Sequence, residues 1–342
     1  MPASSSKSKP KPSEVASEAK RYYIPLIKNQ YASTWRTYSY IYLQPLLQIN
    51  FDDRPVDLSR PTFYVQIGDP VDVALQWAAE AGRQIPFICA ANDKRPGGDW
   101  ETGVVGYEER LCRRSTLAAC LPTPGPESAV GSHYPIPIYA GIYSPDVVVF
   151  RGPHDKYENK PLEQWRSLPV VSVPPPRWPK LTQNGTKYSF TDEREIVKEK
   201  LRGALRICAI NNYDTVVIGD FGLGNGYRNP PQELAELWRE VLLYDPDLRG
   251  RIRYVAFVFE DPDQRTAQLI LDDIAKKAGR SSGSSRSSKS SKSSSSSSGS
   301  SSSVSGCPTD FEIFSQVFDA DEITRYMAQP DARYELCNLL TN

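Results

Sequence analysis

Histidine is almost missing from this 342-residue chain, which has two, His133 and His154. Both stand in stretches rich in proline, glycine and tyrosine, so a histidine-built zinc site or a Ser-His-Asp triad has few members to draw on. Cysteine is scarce and unpatterned. Cys89, Cys112, Cys120, Cys208, Cys307 and Cys337 form no C-x-x-C pair and mostly sit in apolar stretches, which favours buried free thiols over disulfides or zinc. Net charge is absent too. Lysine plus arginine and aspartate plus glutamate number 41 each, so no global field draws in nucleic acid or an anionic membrane, and a polyanion has to be recognised locally. No apolar run approaches the ~20 residues that cross a bilayer. The opening "MPASSSKSKPKPSEVASEAK" lacks the apolar centre of a secretory signal. The expectation is a soluble intracellular protein, cytoplasmic and/or nuclear, without membrane contact or sequence-specific nucleic-acid binding.

What is present is enough apolar material for a sizeable core, at 39% of the residues. Composition divides the chain. Residues 1–13 are almost all Ser, Lys and Pro and cannot bury apolar area, so they read as a disordered tail. Residues 14–278 read as one α/β domain with an N-terminal helical extension. A basic Ser-rich insert, disordered for the same reason, follows over 279–308. Helical spacing returns in 309–342, with Ile313, Phe314, Val317 and Phe318 on one side, as expected of a segment packed back on the domain.

Within the domain, short β-branched runs alternate with amphipathic segments. Strands are expected at 62–67, 85–91, 146–150, 170–173, 215–219 and 253–259, several apolar at consecutive positions as in strands covered on both faces. Helices are expected at 70–81, 107–120, 192–210, 231–244 and 263–278, the fourth opening on prolines that a first turn tolerates. This order predicts a three-layer α/β/α domain with a mixed or parallel central sheet, whose ligands bind in loops at the carboxyl ends of the strands.

Two such loops carry glycines. "NDKRPGGDWETGVVG" follows the 85–91 strand, and "GDFGLGNGYRNPP" follows the 215–219 strand. Gly219, Gly222, Gly224 and Gly226 permit left-handed backbone, so successive N–H groups of a segment that includes Phe221, Leu223 and Asn225 can converge on an anion. There is no G-x-x-x-x-G-K-[ST], and the second loop does not match G-x-G-x-x-G in a first βα unit, which counts against a nucleotide triphosphatase and a dinucleotide-binding dehydrogenase.

The first loop leads to an acid pair at a helix start, and there the chain resembles a known family. Asn92, then Pro96 with Gly97 and Gly98, then Glu108 and Glu109 followed by "LCRRST" resemble the signature of the microbial-type poly(ADP-ribose) glycohydrolases, a family with the macrodomain fold. That signature is Pro and three glycines, about seven residues, Gln-Glu-Glu at a helix start, then Leu-Cys-Arg-Arg-Ser-Thr. "IYSPDVVVFR", "VVSVPPP" and "VVIGDFGLGNGYRNPP" are similar to later family segments in the same order, so the likeness spans roughly residues 60–275. The resemblance implies a macrodomain that cleaves the ribose–ribose bond of poly(ADP-ribose) carried by modified proteins, as a monomer, with no metal and no cofactor. It implies Glu109 as acid/base, Glu108 as the residue orienting ribose, and Asn92 with Gly97, Gly98, Asp99 and Trp100 around the ribose hydroxyls. It places the diphosphate on the 219–228 loop, with Tyr227 packed on the distal ribose and Arg228 beside it.

Two positions depart from the pattern: Asp99 replaces the third glycine and Tyr107 replaces the glutamine. A carboxylate at 99 repels a diphosphate unless water, a cation or Arg228 intervenes. These departures keep open a related hydrolase of mono-ADP-ribosyl groups or ADP-ribose 1''-phosphate, and a non-catalytic ADP-ribose-binding module. A further question concerns Arg113, four residues after Glu109. Were it paired with that acid it would favour the charged form, the wrong direction for a proton donor. Without the resemblance, Arg113 and Arg114 read as solvated or structural, and Trp100 and Phe221 as loop anchors as readily as pocket walls.

Overall fold

The β-branched runs assemble into seven strands in one sheet: β1 (Tyr40–Tyr42), β2 (Thr62–Ile67), β3 (Phe87–Ala90), β4 (Gly141–Val149), β5 (Arg166–Val173), β6 (Thr215–Ile218) and β7 (Tyr254–Phe259). This is a computed structural model and it describes residues 10–51, 60–282 and 306–328. The strand order is β1-β4-β5-β3-β6-β7-β2. Five adjacent strands, β5, β3, β6, β7 and the edge strand β2, run parallel, while β4 is antiparallel to both β5 and β1. The sheet is therefore mixed, as expected.

Its central strands are apolar on both faces because both are covered. Along β3, Phe87 and Cys89 point into one core and Ile88 and Ala90 into the other, following the two-residue period of a strand. One face carries helices Thr191–Ile210, Pro231–Tyr244 and Asp310–Val317, with Leu201, Leu205, Trp238 and Phe314 buried there. The opposite face carries the N-terminal helical segment, with Ala19 and Ile27, helix Pro70–Ala81 and helix Tyr107–Arg114. The layers are α/β/α.

Several boundaries differ from the sequence reading. The expected helix 107–120 is two helices, Tyr107–Arg114 and Leu117–Cys120, broken at an extended Ser115. Ser115 forms a bridge to Val149, and Thr116 takes the Val148 amide on its hydroxyl and gives its own amide to the Val148 carbonyl. Strand β4 thus captures backbone groups that a continuous helix would have used. Strands β4 and β5 are longer than expected, and the three-residue β1 was not anticipated. Pro12 and Ser13, placed in the tail by composition, open the N-terminal helix with proline in the first turn. The insert's first residues, through Ser282, continue helix Thr266–Ser282. Most of the tail, the insert between 283 and 305, and residues 329–342 including Cys337 lie outside the described residues.

After the insert, Thr309 caps helix Asp310–Val317 through a reciprocal capping box with Glu312. Phe314 and Phe318 then pack against Phe257 of β7. Cys89, Cys112, Cys120 and Cys208 are buried free thiols. No described helix is long and apolar enough to cross a membrane.

Candidate active site

Strands β3 and β6 are hydrogen-bonded neighbours running the same way, so the loops that leave their carboxyl ends share one rim of the sheet. The first loop, 91–106, folds back on its own start. Asn92 Oδ1 accepts the backbone amides of Lys94 (2.8 Å) and Arg95 (3.0 Å), and the left-handed Gly97 and Gly98 (φ +72° and +56°) reverse the chain. Trp100 packs into the core beneath helix Tyr107–Arg114, so it anchors the loop from inside.

The two acids face different surroundings, as neighbouring positions on a helix must. Glu108 turns inward, and its Oε2 accepts the Asn92 amide at 2.8 Å. Its Oε1 is buried and has no hydrogen-bond partner among the described residues. Burial pushes the Glu108 carboxyl from 4.5 up to about 8; the Asn92 and Gly97 amides and the charge of Arg177 oppose this, while the negative Glu109 adds to it.

The Glu109 carboxylate is held in a niche between two glycines. Its Oε1 accepts the Asp99 amide at 3.2 Å. A Cβ built on Gly98 would lie 2.3 Å from Oε1, and one built on Gly106 would lie 2.1 Å from Oε2. The carboxylate therefore occupies space that exists because both positions lack side chains. Gly106 caps the helix on which Glu109 stands.

Neither acid is in an ion pair with the basic residues that follow. Arg113 is fully buried and donates to the carbonyls of Trp100 (2.8 Å), Thr102 (3.0 Å) and Val104. Arg114 is buried as well, bonding Asp69 (2.7 Å) and Asp72 (2.6 Å) at the start of helix Pro70–Ala81. Both arginines are internal braces and not solvated side chains, and Arg113 is not paired with Glu109.

The second loop is tied down from three sides. Gly222 and Gly224 have φ of +78° and +71°, and Arg228 is left-handed too, at +57°. Asn225 and Gly226 lie in the single helical turn Gly224–Tyr227, whose first amides have no acceptor within the turn. Gly219 packs closely on Phe87 and Pro70, while Leu223 and Phe221 are buried, Phe221 edge-on to Trp238. Phe221 is thus a core anchor. The Tyr227 hydroxyl reaches the carbonyls of Ala90 (3.3 Å) and Ala91 (3.4 Å) at the end of β3, and the Arg177 guanidinium lies 5.3 Å from the centre of its ring. Tyr227 joins the two loops.

Both departures from the family pattern have local partners. The Asp99 carboxylate pairs with Arg95 at 2.8 Å. Arg228, one of the three screens considered for it, instead bonds the Asn225 side chain and lies near Asp273. The Tyr107 hydroxyl donates to Gln264 Oε1 at 3.0 Å, and burial pushes its pKa well up.

Gln264 is the centre of a network that no local sequence pattern announces. Its Nε2 donates to Asp220 in the second loop (3.2 Å) and to Asp310 of the C-terminal helix (2.9 Å). Asp310 also accepts the Thr266 amide (3.0 Å) and hydroxyl (2.5 Å), and the Thr266 hydroxyl in turn accepts the Gly224 amide (2.8 Å). Burial pushes Asp310 up to about 6 against these bonds. Burial also holds Asp220 well above the ordinary carboxylate range, with Glu260 and Asp310 adding to the effect. A chain running from Tyr107 through Gln264, Asp310 and Thr266 to Gly224 thus sets the second loop against the helix that carries the acids.

Residues 14–152 match the family model described as microbial-type PARG, catalytic domain, a span that includes the first loop and the acid pair and excludes the second loop. No curated protein matches. The poly(ADP-ribose) glycohydrolase structure from Thermomonospora curvata has a TM-score of 0.55 and 17% identity, covering 77% of this chain and 98% of that one. The Deinococcus radiodurans poly(ADP-ribose) glycohydrolase in complex with ADP-ribose has a TM-score of 0.50 and 19% identity, covering 72% of this chain and 97% of that one. At such identities the structural likeness speaks for the macrodomain-like fold. The family model matches residues 14–152 of the 342, and the fold is similar to that of the bacterial poly(ADP-ribose) glycohydrolases.

Proposed function

We propose that this protein hydrolyses the ribose–ribose O-glycosidic bond of poly(ADP-ribose) and releases ADP-ribose. One observation carries the reading: the Glu109 carboxylate sits in a niche bounded by Gly98, Gly106 and the Asp99 amide, on the same rim of the sheet as a glycine-rich turn. A diphosphate held by the free first amides of that turn, at Asn225 and Gly226, beside Gly222 and the Gly224 that Thr266 fixes, extends its distal ribose toward the first loop and the acid. Several similar structures are of poly(ADP-ribose) glycohydrolases bound to ADP-ribose or the inhibitor ADP-HPD.

The chemistry divides between the two acids. Glu109 gives a proton to the departing 2'-oxygen as the C–O bond breaks and the ribose passes through an oxocarbenium-like state. The resulting carboxylate then takes a proton from the attacking water, restoring the acid. Glu108, whose Oε2 is fixed by Asn92, orients the ribose with its second oxygen. Tyr227 closes over the sugar, and Arg95 screens Asp99 from the diphosphate.

Glu109→Gln tests this. It keeps the shape of the side chain and removes the transferable proton. Release of ADP-ribose from radiolabelled polymer should drop by at least ~100-fold, the lower range for loss of a general acid, with ADP-ribose affinity by calorimetry retained. A wild-type protein that binds ADP-ribose and leaves the polymer intact is a binding module. Release of ADP-ribose from mono-ADP-ribosylated protein or ADP-ribose 1''-phosphate, with the polymer untouched, points to the related hydrolase.

A further inference from the structure

Two buried oxygens beneath the first loop have no hydrogen-bond partner among the described residues: Glu108 Oε1 and the hydroxyl of Tyr134. Buried polar atoms are nearly always paired, so a pair of exceptions in one place needs a reason. Glu108 and Cys112 stand four residues apart on helix Tyr107–Arg114 and therefore project to one side of it. Cys112 is fully buried in the core on that face of the sheet, together with Cys89 of β3, and the Tyr134 ring packs against the same cluster. Two residues after Tyr134 the chain is fastened to the first loop, where the Ile136 amide donates to the Asp93 carbonyl at 2.7 Å. Asp93 follows Asn92, whose own amide holds Glu108 Oε2. Tyr134 and Glu108 are thus tied to adjacent residues of one backbone.

The electrostatics match this placement. Burial pushes the Tyr134 hydroxyl well above its ordinary range, and of the groups that add to the effect Glu108 acts most strongly, ahead of Cys112, Cys89 and Asp93. A phenol held in its protonated form is a donor. The two thiols are weak acceptors, and the Cys89 thiol is itself directed to the Ala90 carbonyl. Glu108 Oε1 is the stronger acceptor.

From this the geometry points to Tyr134 as a positioning residue: its hydroxyl donates to Glu108 Oε1, directly or through one water, and so fastens the carboxyl group at both of its oxygens. The assignment rests on the proposed reading in which Glu108 orients the distal ribose. Oε1 has room for two hydrogen bonds, one from Tyr134 and one from a ribose hydroxyl. Without Tyr134 the group is held by the Asn92 amide alone, and the last torsion of a glutamate is broad. The ribose then meets an acceptor whose direction is not fixed.

The test is Tyr134→Phe in the full-length protein, which removes one oxygen and keeps the ring. Calorimetry compares two ligands, ADP-ribose and ADP, the second having the adenosine and diphosphate but no distal ribose. Affinity for ADP-ribose should fall ~5–10-fold, the scale of a single hydrogen bond, and affinity for ADP should stay within about twofold. The substitution is then repeated in Glu108→Gln protein, where Oε1 is exchanged for an uncharged NH2 group, and there the loss for ADP-ribose should shrink to about twofold or less. Binding of ADP shows that each variant is folded. Wild-type affinity for ADP-ribose in Tyr134→Phe overturns the assignment. So does an equal loss for both ligands, which a merely structural role produces, or a full loss that persists in Glu108→Gln protein. Failure of the glycohydrolase reading shows itself elsewhere, as polymer left intact by the wild-type protein, and does not alter this binding comparison.

Discussion

Gly106 lies against the carboxylate it precedes by three residues: a methyl group on Gly106 would sit 2.1 Å from Glu109 Oε2. The backbone at Gly106 (φ −98°, ψ 169°) is one that any residue adopts. Glycine is needed there for space alone, and the space is filled by the end of a flexible side chain. Gly106→Ala should therefore cost little stability, on the order of 0.5 kcal/mol, because Glu109 can swing aside. Swinging aside moves the acid from its place, and displacements of about 1 Å are enough to lose ~100-fold in rate. Thermal melting together with polymer hydrolysis separates the two effects. A variant with wild-type turnover would show that the niche does not fix Glu109 for catalysis.

Glu108 makes stability depend on pH in a direction opposite to that of most carboxylates. Its pKa lies near 8 in the folded protein against an ordinary 4.5. Between these values the folded state holds more protons than the unfolded one, so stability falls as pH rises through the interval. Asp310, raised to about 6, acts the same way over a lower interval, which confounds the wild type measured alone. The difference between wild type and Glu108→Gln removes that contribution. The amide keeps an oxygen for the Asn92 N–H and carries no charge to bury, so the variant should gain on the wild type as pH climbs from about 5 to about 9. A stability difference that stays flat over that range contradicts the assignment.

Thr266 is expected to act on the ligand through the second loop. It is fully buried, accepting from the Gly224 amide and donating to Asp310. Thr266→Val keeps the side-chain shape and leaves the Gly224 amide without its acceptor, while Asp310 keeps the Thr266 amide and Gln264, at a cost of about 1–3 kcal/mol for an unsatisfied buried group. Because Gly224 is part of the turn proposed to hold the diphosphate, ADP-ribose affinity and KM should weaken while kcat holds within about threefold. Loss of stability with unchanged affinity would reduce the network to a structural role. Rescue by Thr266→Ser supports the hydroxyl as the working group.

The limits of reading this site from sequence follow from chain distance. The strands show in their β-branched runs, and the acid pair shows by its spacing from Gly97 and Gly98, because these signals are local. Tyr107 and Gln264 are 157 residues apart, and Thr266 and Asp310 are separated by the Ser-rich insert. Nothing in the vicinity of either residue announces its partner. Ser115 is similar: helical spacing continues through it, and only the arrival of β4 makes an extended backbone the better use of its hydrogen-bonding groups. Gly106 was legible in principle, since a glycine three positions before an acid at a helix start removes a side chain from that acid's surroundings. Arg95, four residues before Asp99, was legible as well, as the near partner that displaces Arg228.

That near partner decides what Asp99 contributes. In sequence the residue is a carboxylate where the family has glycine, and the expectation was repulsion of the ligand. In the structure its two functions separate. The carboxylate is turned to Arg95 in a solvent-exposed pair, and such pairs contribute only about 0–1 kcal/mol. The backbone amide serves Glu109, and glycine supplies the same amide. Asp99→Gly should therefore leave melting temperature and turnover close to wild type, within about threefold in kcat, and should strengthen ADP-ribose binding slightly as Arg95 is freed to meet the diphosphate. Arg95→Ala should do the reverse, exposing the Asp99 charge to the ligand and weakening affinity, more so at low salt. Double replacement, Arg95→Ala with Asp99→Gly, should recover part of that loss if repulsion by Asp99 is its cause. A large fall in kcat for Asp99→Gly alone would instead place the carboxylate itself on the substrate.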